Sequence, residues 1–132
     1  MSDQGRTIQI WFQKSAEDLK VARLLLASKS EDFLGPSVFH SQQCAEKAIK
    51  GYLAFHKVRF SKTHDLEILI NLVAQVDIEL SQSLKPAGVL TKFAIAYRYP
   101  EEIASPELLN QENCQKIFDL ANMVFEKLQS LL

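Results

Sequence analysis

From Arg6 to Leu34 the chain contains neither glycine nor proline, and the same holds from Tyr52 to Lys85 and from Glu107 to Leu132. An all-β fold needs turn residues at intervals of roughly 8–12 positions. Four glycines and four prolines in 132 residues cannot supply them. Long uninterrupted stretches with apolar residues at three- and four-residue steps point instead to amphipathic helices.

The first such pattern, Ile10, Trp11, Leu19, Ala22, Leu25 and Leu26, predicts a helix over roughly residues 7–29, with Thr7 as a cap. Gly35-Pro36 ends the next loop, and proline suits the first turn of a helix, where its missing N–H costs nothing. That second helix extends to about His56. Asp65 or Thr63 caps a third, over roughly residues 65–76, with Leu66, Leu69, Ile70 and Val73 on one face. A fourth, over roughly residues 80–98, must kink at Pro86 or start late near Lys85, and must stop before Pro100. Ser105-Pro106-Glu107 resembles the start of a fifth, continuing through Leu108, Ile117, Leu120, Val124 and Leu128. The expected fold is an all-α, antiparallel up-and-down bundle of about five helices, forming one domain over residues 1–132.

Fifteen basic against sixteen acidic residues leave a net charge of −1, so contact with a polyanion requires a local patch rather than a global field. No signal segment and no apolar run approaching the roughly 20 residues of a membrane span is present. A cytoplasmic location with no membrane association is therefore the expectation. Cys44 and Cys114 lie far apart in helical patterns and are expected to be reduced, buried thiols.

The polar residues of HSQQCAEKAIKGYLAFHK, residues 40–57, hold more information. Ser41, Cys44, Ala45, Ala48, Ile49, Tyr52 and Phe55 form its core face, while Gln43, Glu46, Lys47 and Lys50 share another side. Glu46 and Lys50 have the favourable order for an i,i+4 pair, worth about 0.2–0.5 kcal/mol on a solvated helix. The stripe is either such a solvated face, or a wall where Gln42, Gln43 and Glu46 meet a partner or line a cleft.

The loop Lys57-Val58-Arg59-Phe60-Ser61-Lys62-Thr63-His64 carries three fixed cations and an aromatic ring, the combination that contacts phosphates and stacks a base, although a solvated basic loop has the same composition. Trp11, Tyr97 and Tyr99 are read as packing residues. His64-Asp65 also resembles the adjacent ligand pair of metal phosphohydrolases. Such a site needs further histidines at helical spacings, which the chain lacks, so neither a metal nor a cofactor is expected.

Four segments in order, WFQKSAEDLKVARLLL, FHSQQCAEKAIKGYL, THDLEIL and AIAYRYP, resemble the HEPN domain family, named for higher-eukaryote and prokaryote nucleotide-binding proteins, in its prokaryotic stand-alone form. The resemblance implies a homodimer, often encoded beside a minimal nucleotidyltransferase, with many relatives acting as toxins of toxin–antitoxin pairs. Active relatives are metal-independent RNases with an arginine followed four to six residues later by a histidine. Arg98 stands at the arginine position, but Tyr99-Pro100-Glu101-Glu102-Ile103-Ala104 follows, and His40, His56 and His64 are the chain's only histidines. Catalysis by that motif is therefore not expected, with Arg98 the sole catalytic candidate of the motif and His64 the only candidate for a displaced base. A dimeric module that binds a nucleotide or a nucleotidyltransferase partner without hydrolysing RNA is favoured, with an RNase using an atypical base and a purely structural scaffold as alternatives. The nucleotide- or RNA-binding residues expected are Arg98, Glu46, Lys50, Lys57, Arg59, Lys62 and His64, with Arg98 approaching Glu46.

Overall fold

A computed structural model describes residues 2–98 and 109–132, with side chains described over 2–96 and 109–132. Among the described residues there are six α-helices and no strand: α1 (Asp3–Ala27), α2 (Leu34–Phe55), α3 (Leu66–Val73), α4 (Ile78–Leu84), α5 (Val89–Arg98) and α6 (Gln111–Gln129). The expected all-α bundle is present. The fourth predicted helix is divided at Pro86, where a 3-10 turn over Lys85–Gly88 separates α4 from α5. The missing proline N–H and the ring's clash with the preceding turn account for the break.

Local signals explain most of the boundaries. Asp65 caps α3, its side chain accepting from the Glu67 N–H, and Leu66, Leu69, Ile70 and Val73 are buried along one face. Burying each of those side chains contributes roughly 1.5–3 kcal/mol, far more than the propensity of so short a helix. Pro36 falls in the first turn of α2, as expected, after a 3-10 turn over Glu31–Phe33 capped by Ser30. The start of α1 differs from expectation: Ser2, not Thr7, is the cap, accepting from Gly5 N at 3.0 Å. Thr7 lies inside the helix, its hydroxyl donating to the Asp3 carbonyl at 3.0 Å. The last helix begins at Gln111 under an Asn110 cap, while the proposed Ser105-Pro106-Glu107 start lies outside the described residues.

α2 is the central element, packed against α1, α3, α5 and α6. It runs antiparallel to α1, as the contacts from Gln4 to the Ala54 carbonyl and from Ser15 to the Cys44 carbonyl at 2.7 Å require. At Gly51 the two helices approach so closely that a Cβ would lie 2.7 Å from the Phe12 ring. The predicted core face of α2 is buried from Ser41 to Tyr52, but Phe55, in the last turn, is 45% exposed. Cys44 and Cys114 are free and buried, as expected. Among the described residues no helix is long and apolar enough to cross a membrane.

Candidate functional site

The polar stripe of α2 is not a solvated face. Gln42, Glu46 and Lys50 are 4%, 3% and 6% exposed, close to the burial of the core leucines. The stripe also divides. Lys47 turns towards α1, where its Nζ lies 2.6 Å from Asp18, and Asp18 also accepts from His40 Nδ1 at 2.9 Å. Glu46 and Lys50 turn the other way, beneath the loop that joins α2 to α3.

That loop is held by hydrogen bonds between its backbone and side chains of the loop, α2 and α5. The Thr63 hydroxyl accepts from Asp65 N at 3.1 Å, and the Leu66 N–H donates to the Thr91 hydroxyl of α5 at 2.9 Å. The His64 carbonyl accepts from Gln42 Nε2 at 3.2 Å and from the Thr91 hydroxyl at 3.5 Å. Phe60 turns inward and meets Trp11 of α1 edge-on, ring centres 6.4 Å apart. The Lys50 ammonium lies 5.8 Å from the Trp11 ring centre and 5.9 Å from that of Phe60, within cation–π range of both.

The carboxylate of Glu46 is the hub. Its oxygens accept from Gln42 Nε2 at 3.0 Å, from Lys50 Nζ at 3.2 Å and from His64 Nδ1 at 3.0 and 3.1 Å. A buried charge is tolerated only with such partners. Gln43 Nε2 donates in turn to Gln42 Oε1 at 2.7 Å, which fixes the Gln42 amide with its nitrogen towards Glu46. Because an ionised carboxylate only accepts, Nδ1 of His64 carries the hydrogen in this contact.

His64 itself is a surface residue, its side chain 78% exposed against 4% for Glu46. It stands at the edge of an open groove of ≈ 390 Å³ floored by Phe39, Gln42 and Gln43 of α2 and walled on the far side by Thr91, Ala94 and Ile95 of α5. Exposed surface histidines are ordinarily free to rotate; this one is tied through both its ring and its carbonyl. The arrangement therefore presents an oriented imidazole ring towards solvent beside the cleft.

The expected site residues thus fall into three groups. Glu46, Lys50 and His64 are brought into one hydrogen-bonded cluster. Lys57, Arg59 and Lys62 are exposed along the loop that ends at His64, with Lys57 in the left-handed region (φ 59°) just past the end of α2. Arg98 is the last residue of α5, and its expected approach to Glu46 lies outside the described side chains, as do the expected roles of Tyr97 and Tyr99. Asp65 caps α3, its carboxylate accepting from the Glu67 N–H at 3.0 Å.

Sequence reasoning missed Thr91, whose hydroxyl pins the loop to α5, and the Asp18–His40–Lys47 cluster. Both depend on contacts between residues more than twenty positions apart and leave no local signal. The two thiols are not part of the site. Burial pushes Cys44 up to about 12 and raises Cys114 as well, so both stay protonated and unreactive.

The comparisons with known proteins agree with this fold. A Methanocaldococcus jannaschii protein named "Putative toxin MJ1304" is 29% identical over 146 residues, covering all of this chain and 94% of the relative. The crystal structure of TT1696 from Thermus thermophilus superposes with a TM-score of 0.75 at 22% identity, covering 95% of this chain and 98% of that one. The sequence pattern of the HEPN domain matches residues 8–131, nearly the full length, and the chain belongs to the HEPN domain family.

Proposed function

We propose that the chain is a toxin-type HEPN module that binds the phosphate–ribose backbone of RNA, or a free nucleotide as its smallest unit. It acts as a cytoplasmic homodimer associated with a minimal nucleotidyltransferase in a toxin–antitoxin-type pair. The observation that carries the ligand class is the groove beside Glu46 and His64, where a buried carboxylate holds a surface histidine in one orientation. A scaffold has no need of that. Amide and imidazole groups at the groove suit ribose hydroxyls and base edges, and the apolar side chains of Phe39, Ala94 and Ile95 suit a base face.

Two further features support the reading. Lys57, Arg59 and Lys62 lead along the exposed loop to His64, a local cationic track on a chain with a net charge of only −1. Arg98 lies four positions after Ala94 of the groove on α5. The toxin role rests on family membership and on the similarity to the protein named a toxin.

Fluorescence anisotropy with labelled single-stranded RNA, titrated across salt concentrations, tests the ligand class. Each cation engaged with a single strand adds about 0.7 to the slope of log affinity against log salt, so Lys57→Ala/Arg59→Ala/Lys62→Ala should lower the slope by about 2. An affinity that the triple variant does not change would refute the proposed track. Sedimentation equilibrium tests the dimer, and co-purification from the native host tests the partner.

A further inference from the structure

We infer that the outer face of α3 and α4 is a docking surface for a protein partner, and that the partner presents a basic amphipathic helix. The inference goes beyond the proposed RNA-binding function and does not rest on the groove between α2 and α5.

The sequence supplies the charge. From Asp65 to Leu84 there are four acidic residues, Asp65, Glu67, Asp77 and Glu79, and no lysine or arginine, so this segment carries −4 while the rest of the chain carries +3. Among the described residues none of these four carboxylates is in an ion pair, whereas Glu17, Asp18, Glu46 and Glu112 each face a lysine at 2.6–3.6 Å. Asp65 and Asp77 cap α3 and α4, accepting from Glu67 N and Leu80 N, which fixes their charges at this surface. Lys85 stands at its edge and donates to Asn71 Oδ1 at 3.3 Å rather than pairing with Glu67.

The fold supplies an apolar ridge between those charges. α3 turns Leu66, Leu69, Ile70 and Val73 into the core, and the Ser81 hydroxyl of α4 donates to the Ile70 carbonyl at 2.7 Å, which ties the two short helices together. The positions left outside hold Ile68, Val76 and Ile78, which are 47%, 37% and 65% exposed. After Val73 the chain continues in a tighter turn, Val76 N donating to the Val73 carbonyl at 2.9 Å. The rises of the two kinds of turn place Val76 roughly 13 Å along from Ile68. A ridge of that length suits a partner helix of two to three turns, its apolar stripe on the isoleucines and its cations over the flanking carboxylates. The sign of the charge decides the class of partner. RNA phosphates and anionic lipid headgroups would both be repelled here, and a cationic helix is drawn in.

The test titrates full-length protein into a labelled 18-residue synthetic peptide with leucines on one helical face and lysines on the other. A scrambled peptide of the same composition and a version with glutamate for lysine serve as controls. Fluorescence anisotropy is expected to show the amphipathic lysine peptide binding at least about 10-fold more tightly than either control, as two newly buried isoleucines require. Amide shifts in NMR spectra should be largest over residues 66–84. Ile68→Ser/Ile78→Ser should weaken binding by about 10–100-fold with an unchanged urea midpoint, because both side chains lie largely in solvent. Glu67→Gln/Glu79→Gln, which leaves both caps in place, should weaken it by about 2–10-fold and flatten its salt dependence. This second variant decides the matter should the first fail to fold. Leu24→Ser, on the outer side of α1, should bind like wild type. Equal binding of the control peptides, no binding at all, shifts centred on another face, or wild-type affinity in both double variants overturns the inference. A folded Ile68→Ser/Ile78→Ser that loses affinity for RNA would place RNA on this face and overturn it equally.

Discussion

Lys50→Met is the most informative single perturbation of the fold. The change keeps the length and apolar stem of the side chain but removes the cation 3.2 Å from Glu46 Oε2 and within reach of the Trp11 and Phe60 rings. At that separation the gross attraction is about 5 kcal/mol for an effective dielectric of about 20, and most of it is offset by the cost of desolvating both ions. The side chains are 7% and 4% exposed, so breaking the pair strands a buried carboxylate, a change that costs about 3–5 kcal/mol. Gln42 and His64 remain as donors and hold the loss near the lower end. Urea unfolding followed by circular dichroism should therefore show a midpoint lower by about 1.5 M, taking a slope of about 2 kcal/mol per molar. The double variant Glu46→Gln/Lys50→Met removes both charges and should recover to within about 1 kcal/mol of wild type. A solvated i,i+4 pair would instead cost about 0.2–0.5 kcal/mol. A midpoint shift of Lys50→Met in that small range, or a double variant no better than the single, would refute a buried, coupled pair.

Three other perturbations probe the packing around this cluster. Gly51→Ala adds a methyl 2.7 Å from Phe12 Cε2 and 3.0 Å from Trp11 Cβ, so overpacking of about 1–3 kcal/mol outweighs the roughly 1 kcal/mol gain in helix propensity, and thermal melting should show a net loss. Ser41 is fully buried and its hydroxyl has no hydrogen-bond partner among the described residues, so Ser41→Ala should be neutral or stabilising by up to about 1 kcal/mol, where a loss would reveal a bond to the hydroxyl. Cys44, raised from 9.0 to about 12 by burial, holds its proton in the folded state while the unfolded thiol releases it. Its contribution is full below pH 9 and is lost as pH rises towards 12, by up to about 1.4 kcal/mol per pH unit. Wild type should thus lose stability relative to Cys44→Ala above pH 9, and equal pH dependence of the two would show the thiol to be solvated.

Much of the fold could be read from residues acting locally. Pro36 in a first turn, Asp65 as a cap, the break at Pro86 and the buried face of α3 each follow from one or two neighbouring positions. The start of α1 was misread because Gly5 weakens the helical pattern, although Ser2 supplies the cap. The site was only half legible. Periodicity identifies which residues of α2 share a side, but not whether another element covers that side. What covers Glu46 and Lys50 is the return of residues 57–64, fixed by Phe60 on Trp11 and by Thr91 on Leu66, and those contacts span tens of residues. The pair Glu46–Lys50 was correctly expected from spacing, yet its burial, which raises its weight several-fold, comes from the tertiary fold.

The same geometry explains how a chain without the family's second motif residue can present an imidazole at its groove. A histidine four to six residues after Arg98 would be positioned by the backbone that carries the arginine. His64 lies 34 positions earlier and must be positioned some other way. Here the means is a carboxylate on the most buried helix: Glu46 is anchored by Gln42 and Lys50 of its own helix, and α2 is itself packed by four others. The rigidity of the core is thereby passed to a surface ring through a single hydrogen-bonded pair. The cost is a charge buried in the bundle, and the aromatic box around Lys50 offsets part of it by supplying a favourable site for the counter-ion. A loop held only by solvated contacts would leave the imidazole free to rotate, so the buried pair and the placed histidine stand or fall together. Replacing Lys50 should therefore loosen His64 as well as the fold, so in NMR spectra of Lys50→Met the His64 Nδ1 proton should exchange with solvent faster than in wild type, alongside the drop in the unfolding midpoint.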